Sequence, residues 1–106
     1  MPNLHKKLTL NDFQKYVTNL EEKRGFADAT VLQQCLKLGE EVGELFKAIR
    51  KKEKLKLDSK KEVLDSVDEE LADIFIYLCS IANRYDIDLE RAFREKEEKN
   101  KTRTWQ

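Results

Sequence analysis

The only proline in this chain of 106 residues is Pro2, and only three glycines follow it, so almost nothing between Asn3 and Gln106 can stop a helix. A many-stranded β fold needs turn residues every 8–12 positions or so, and they are missing here. The expected fold class is all-α. The length suits one domain built round one hydrophobic core, so residues 1–106 are read as a single domain. No apolar run approaches the roughly 18 residues of a membrane span. The opening Met1-Pro2-Asn3-Leu4-His5-Lys6 has no apolar signal core, so a cytoplasmic location without membrane contact is expected.

The periodicity predicts four helices. Thr9-x-x-Asp12 resembles a capping box, Leu10, Phe13, Val17 and Leu20 recur at helical spacing, and Gly25 supplies a stop. Asp28 is expected to cap a second helix with Val31, Leu32, Cys35, Leu38, Val42, Leu45, Phe46 and Ile49 as its apolar stripe. Lys51 to Lys60 reads as the main loop, closed by a second capping box, Ser59-x-x-Glu62. A third helix carries Val63, Leu64, Val67, Leu71, Ile74, Phe75, Leu78, Ile81, Ala82 and Tyr85 and ends near Asp86. Asp88 then caps a fourth, Leu89 to about Lys101.

Apolar residues nearly encircle the third helix, because Ala72, Ile76 and Cys79 fall opposite Ile74 and Ile81. Such a helix has to be covered on two sides, which four short helices can hardly do alone. A homodimer or a tetramer is therefore expected. Cys35 and Cys79 lack CxxC spacing and read as reduced thiols packed as small hydrophobes.

The 21 basic residues cancel the 21 acidic ones, so there is no global field to wrap nucleic acid, and none is expected as a partner. The cancellation is between segments. Residues 47–61 hold eight Lys+Arg and two Asp+Glu, whereas residues 62–73 hold six acidic residues and no basic one. Glu41 and Glu44 on the second helix, and Glu70 and Asp73 on the third, are i, i+3 carboxylate pairs that border apolar faces. If those helices pack antiparallel, four carboxylates converge, and like charges that close need a cation; hard oxygen ligands suit Mg2+ or Mn2+. The alternative at this point is a pair of solvated acidic faces. A di-iron bundle would need Glu-x-x-His pairs, and the single histidine is His5. No phosphate-binding loop, dinucleotide motif or nucleophile elbow occurs.

Glu40-Glu41-x-x-Glu44, followed after 25 residues by Glu70-x-x-Asp73, resembles the EExxE…ExxD signature of the MazG-like all-α nucleoside triphosphate pyrophosphohydrolases. Lys96-x-x-x-Asn100-x-x-Arg103-x-Trp105 is similar to the tail of small members of that group. The resemblance implies a four-helix bundle completed by homodimerisation and a reaction that splits a (deoxy)nucleoside triphosphate into monophosphate and pyrophosphate. It implies Mg2+ on Glu41, Glu44, Glu70 and Asp73, with Glu40 and Glu41 as catalytic residues. Whether Glu40 is a further ligand or the base that orients water stays open. Lys96, Asn100 and Arg103, at i, i+4, i+7, could face phosphates, Lys54 the leaving pyrophosphate, and Tyr77 or Trp105 sugar or base; each has a solvated or core-packing alternative. Phe13, Tyr16 and Phe26 are further candidates for base selectivity. A role in clearing noncanonical or surplus nucleotides is what the family suggests. Two other readings use the same residues: a phosphoribosyl-ATP pyrophosphohydrolase or dUTPase-like enzyme, and a non-enzymatic helical dimerisation module with an incidental metal site.

Overall fold

The computed structural model describes residues 7–54 and 66–103. Among them are four helices and no strand: α1 (Leu10–Arg24), α2 (Val31–Lys54), α3 (Val67–Arg84) and α4 (Leu89–Lys101). The all-α expectation holds. The chain divides into two compact units, one formed by the residues up to Asp28 together with those from Cys79 onward, the other by Ala29–Leu78.

In the first unit, α1 starts as the sequence predicts. Thr9 Oγ1 accepts from the Asp12 amide at 3.1 Å and Asp12 Oδ2 accepts from the Thr9 amide at 3.0 Å, so two otherwise unpaired donors are satisfied reciprocally. Gly25 closes the helix in the left-handed region, φ 82°, and the Phe26 amide reaches back to the Glu21 carbonyl at 2.8 Å. The C-terminus of α3 uses the same device without glycine. Asp86 takes φ 56°, and the Ile87 amide donates to the Ala82 carbonyl at 2.8 Å. Asp88 caps α4, accepting from the Arg91 amide at 3.1 Å.

Val17, Leu20, Cys79 and Ala82 form the buried apolar part of this unit, and Gln14, Glu21 and Ser80 are buried with them. Arg84 Nη1 donates to Glu21 Oε1 at 2.9 Å and to Ser80 Oγ at 2.6 Å, while Ser80 Oγ donates to Glu21 Oε2. Gln14 donates to Asn83 Oδ1 and to the Ile87 carbonyl, and accepts from the Leu89 amide. Asn83 in turn donates to the Gln14 carbonyl and Thr18 Oγ1.

In the second unit, the cap of α2 is Thr30, not Asp28. The Gln33 amide donates to Thr30 Oγ1 at 3.1 Å and the Thr30 amide to Gln33 Oε1 at 2.9 Å, a reciprocal pair that Asp28, outside the helix, does not make. The other end also moves: α2 runs through Lys54, so Lys51, Lys52 and Lys54 are helical instead of forming the start of a loop. Lysine is a good helix former, and cations in a last turn complement the helix dipole. The expected Ser59 cap, Val63 and Leu64 lie outside the described residues.

Burial in this unit is sparse. Leu38, Val42 and Leu45 are half-buried, but Leu32, Phe46 and Ile49 of the expected stripe are exposed, as are Leu71 and Leu78 of α3. Cys79 is buried as expected; Cys35 is not, being exposed on α2.

Candidate metal centre

The i, i+3 spacing of Glu70 and Asp73 places both on one flank of α3, and Glu41 of α2 comes up to them. One carboxylate oxygen from each of Glu41, Glu70 and Asp73 lies within 4.8 Å of the other two. Glu41 and Glu70 are half-buried and Asp73 is exposed. All three belong to the second unit.

The electrostatics follow from this crowding. Burial is the first cause that pushes the Glu41 carboxyl above the ordinary carboxylate range; a hydrogen bond with Glu70 adds to it, and the charges of Asp73, Glu70 and Glu44 act in the same direction. Glu70 Oε1 is buried and has no hydrogen-bond partner. A buried anionic oxygen left without a donor is costly, and a cation is the partner that three clustered hard oxygens fit. The donor set contains no nitrogen or sulfur, so it matches Mg2+ or Mn2+ chemistry and not that of structural zinc.

The remaining predicted residues divide between the units. Glu44 is exposed on α2 and acts on Glu41 through its charge, but it is outside the group of three. Glu40 is exposed on α2 and is likewise outside it. Tyr77 is half-buried one turn past Asp73. Lys54 closes α2. In the first unit, Lys96 is exposed on α4 and Asn100 is half-buried, its amide donating to Glu97 Oε2 at 3.1 Å. Arg103 does not complete an i+7 helical face, because α4 ends at Lys101 with Thr102 as its cap. The Arg103 amide instead donates to the Asn100 carbonyl at 3.1 Å. Trp105 lies outside the described residues.

The sequence model of the MazG nucleotide pyrophosphohydrolase domain matches residues 29–106. The chain belongs to this family. The matched span holds Glu40, Glu41, Glu44, Glu70 and Asp73 together with α4, while α1 precedes it. A search of curated proteins finds no match. For a MazG domain an acidic cluster between two helices has a reason that a solvated surface lacks, and the family supports nucleotide pyrophosphohydrolase activity in general. Among the described residues, no helix is long and apolar enough to cross a membrane.

Proposed function

We propose that this chain hydrolyses (deoxy)nucleoside triphosphates between the α and β phosphates, releasing monophosphate and pyrophosphate, and that it depends on Mg2+, with Mn2+ as a substitute. The observation that carries the reading is the convergence of Glu41, Glu70 and Asp73, together with a buried Glu70 oxygen that lacks a partner. These three side chains hold the ion, and Glu44 supports it from the next turn of α2. When bound, the ion supplies neutralisation of phosphate charge and polarisation of the phosphoryl oxygens, which a purely acidic surface cannot do for a substrate of about four negative charges.

The chain's own groups do the rest. Glu41 would ligate in its ionised form, which a cation favours against the burial and like charges that push its carboxyl upward. Glu40, exposed one turn before Glu44, orients the attacking water as a base. Lys96, Asn100 and Lys54 meet phosphate oxygens, and Tyr77 packs against sugar or base; Arg103 and Trp105 contribute at the tail. The protein acts as a single cytoplasmic domain in a homodimer, a state favoured by the exposed Leu71 and Leu78. Its role is removal of unwanted nucleotides from the pool.

A panel of nucleotides assayed with Mg2+, scored as pyrophosphate against phosphate, tests this. Metal-dependent pyrophosphate release that disappears in Glu41→Ala is expected. Release of inorganic phosphate alone, or no turnover of any nucleotide, overturns it.

A further inference from the structure

Two buried side-chain oxygens of the second unit have no hydrogen-bond partner, Glu70 Oε1 and Ser66 Oγ. They belong to one turn of backbone. Ser66 stands directly before Val67, the first residue of α3, and its carbonyl accepts from the Glu70 amide at 3.2 Å. Residues four apart on a helix keep their Cβ atoms about 5–6 Å from each other. A hydroxyl, which can donate and accept, thus lies one turn from a carboxylate oxygen without bonding to it.

Ser66 also leaves a local bond unmade. Serine is among the preferred residues at the start of a helix, and Ser66-x-x-Glu69 has the pattern of a capping box. In α1, α2 and α4 the corresponding Thr9, Thr30 and Asp88 each accept from the amide three residues on, at 3.1 Å. Ser66 Oγ accepts from no amide and is buried. A buried hydroxyl without a partner is costly, and the capping bond that would relieve it is within the reach of one rotamer change. The partner that suits this position is one that arrives with a ligand.

The chemistry of Glu41, Glu70 and Asp73 says which ligand that is. Their clustered hard oxygens fit an ion of the Mg2+ kind, which keeps several waters when it binds through a few carboxylates. A water on such an ion has its oxygen committed to the metal and two protons to give, so it needs acceptors beside the site. Ser66 Oγ is a neutral acceptor one turn from Glu70.

We propose that Ser66 is a positioning residue of the metal centre: its hydroxyl holds a water of the ion's shell beside Glu70. One bound ion then accounts for both orphaned oxygens, Glu70 Oε1 by ligation and Ser66 Oγ through that water. The proposal rests on the metal-centre reading and adds to it a residue outside the acidic motif.

The test is Mn2+ binding by the full chain without nucleotide, read from the electron paramagnetic resonance signal of free Mn2+, together with thermal melting of the metal-free protein. Ser66→Ala should weaken Mn2+ binding about tenfold, as loss of a group supporting a metal site does. Its metal-free Tm should stay or rise, because an unpartnered buried hydroxyl has been removed. Ser66→Thr keeps the hydroxyl and should bind Mn2+ as wild type does. A lower metal-free Tm in Ser66→Ala would mean that the hydroxyl caps α3, and overturns the proposal. Unchanged affinity in Ser66→Ala, or a loss that Ser66→Thr shares in full, overturns it as well; all three results leave the metal centre standing. A wild-type chain that binds no Mn2+ overturns both.

Discussion

One carboxylate oxygen of Glu41 on α2 and one of Glu70 on α3 lie within 4.8 Å of each other. Burial, with the like charges of Asp73, Glu70 and Glu44 beside it, pushes the Glu41 carboxyl above its ordinary range. With Asp73 contributing a third oxygen within 4.8 Å, the cluster opposes ionisation of Glu41, an opposition that a cation would relieve.

Cation binding should therefore release protons. Glu41 titrates above its ordinary range in the folded protein, so the fold favours its protonated form. In the metal-free protein this stabilising contribution is present below the unfolded pKa and is lost as pH rises through the raised folded pKa. Mg2+ reverses the trend, with affinity rising over the same interval. Calorimetric titrations in buffers of different ionisation enthalpy, with melting curves across that interval with and without Mg2+, check this. Buffer-independent heats and pH-independent affinity would rule out the linkage between Glu41 ionisation and cation binding.

The four candidate ligands should not be equivalent. Glu41, Glu70 and Asp73 converge while Glu44 stays outside, acting only through its charge. Glu70→Gln or Asp73→Asn should reduce Mg2+ affinity and pyrophosphate release by more than about 100-fold, whereas Glu44→Gln should cost about tenfold, as loss of a supporting group does. Equal losses in all three variants would mean that Glu44 is a direct ligand.

Local signals were the legible part of the fold. Thr9, Gly25 and Asp88 cap where their chemistry says they should, because each acts on backbone atoms within one turn. Asp28 misled because Thr30 with Gln33 offers two reciprocal bonds, and Lys51 to Lys54 misled because polar residues without a breaker propagate a helix as well as end one. The carboxylate flank of α3 was readable from i, i+3 spacing, but the separation of Glu44 from Asp73 depends on how α2 meets α3, which periodicity does not encode. Nor does spacing reveal that Gln14, Glu21 and Ser80 are buried, since their partners lie 59 to 75 residues away.

The Glu21–Arg84 pair should be expensive to break and cheap to replace. Both side chains are largely buried, at 9% and 13% exposure, and Arg84 also donates to Ser80 Oγ and the Phe26 carbonyl, tying the end of α1 to α3. Glu21→Gln leaves a guanidinium buried without its counter-ion and should destabilise by about 3–5 kcal/mol, while replacing Glu21 and Arg84 together with methionine should come close to neutral. Urea denaturation of both variants decides this. A double variant as unstable as the single one would show that the Phe26 carbonyl bond, not the charge pair, carries the effect.

Gln14 should matter more than its place in a polar stretch of α1 suggests. Its Nε2 donates to the Ile87 carbonyl at 2.8 Å and to Asn83 Oδ1 at 3.0 Å, and its Oε1 accepts at 2.9 Å from the Leu89 amide, one of the donors that the first turn of α4 leaves unpaired. Gln14→Met preserves volume but strands those groups in a part-buried setting, at about 1–3 kcal/mol for each buried group left unpaired. A loss of about 3 kcal/mol overall is expected, with a Tm drop of roughly 10 °C or more for a chain of this size. Hydrogen exchange supplies the local readout: the Leu89 amide should exchange faster in the variant, while the Phe13 amide, bonded within the α1 cap to the Thr9 carbonyl, should be protected relative to it as before. A Tm within a degree or so of wild type would mean that water replaces the glutamine and that the network contributes little.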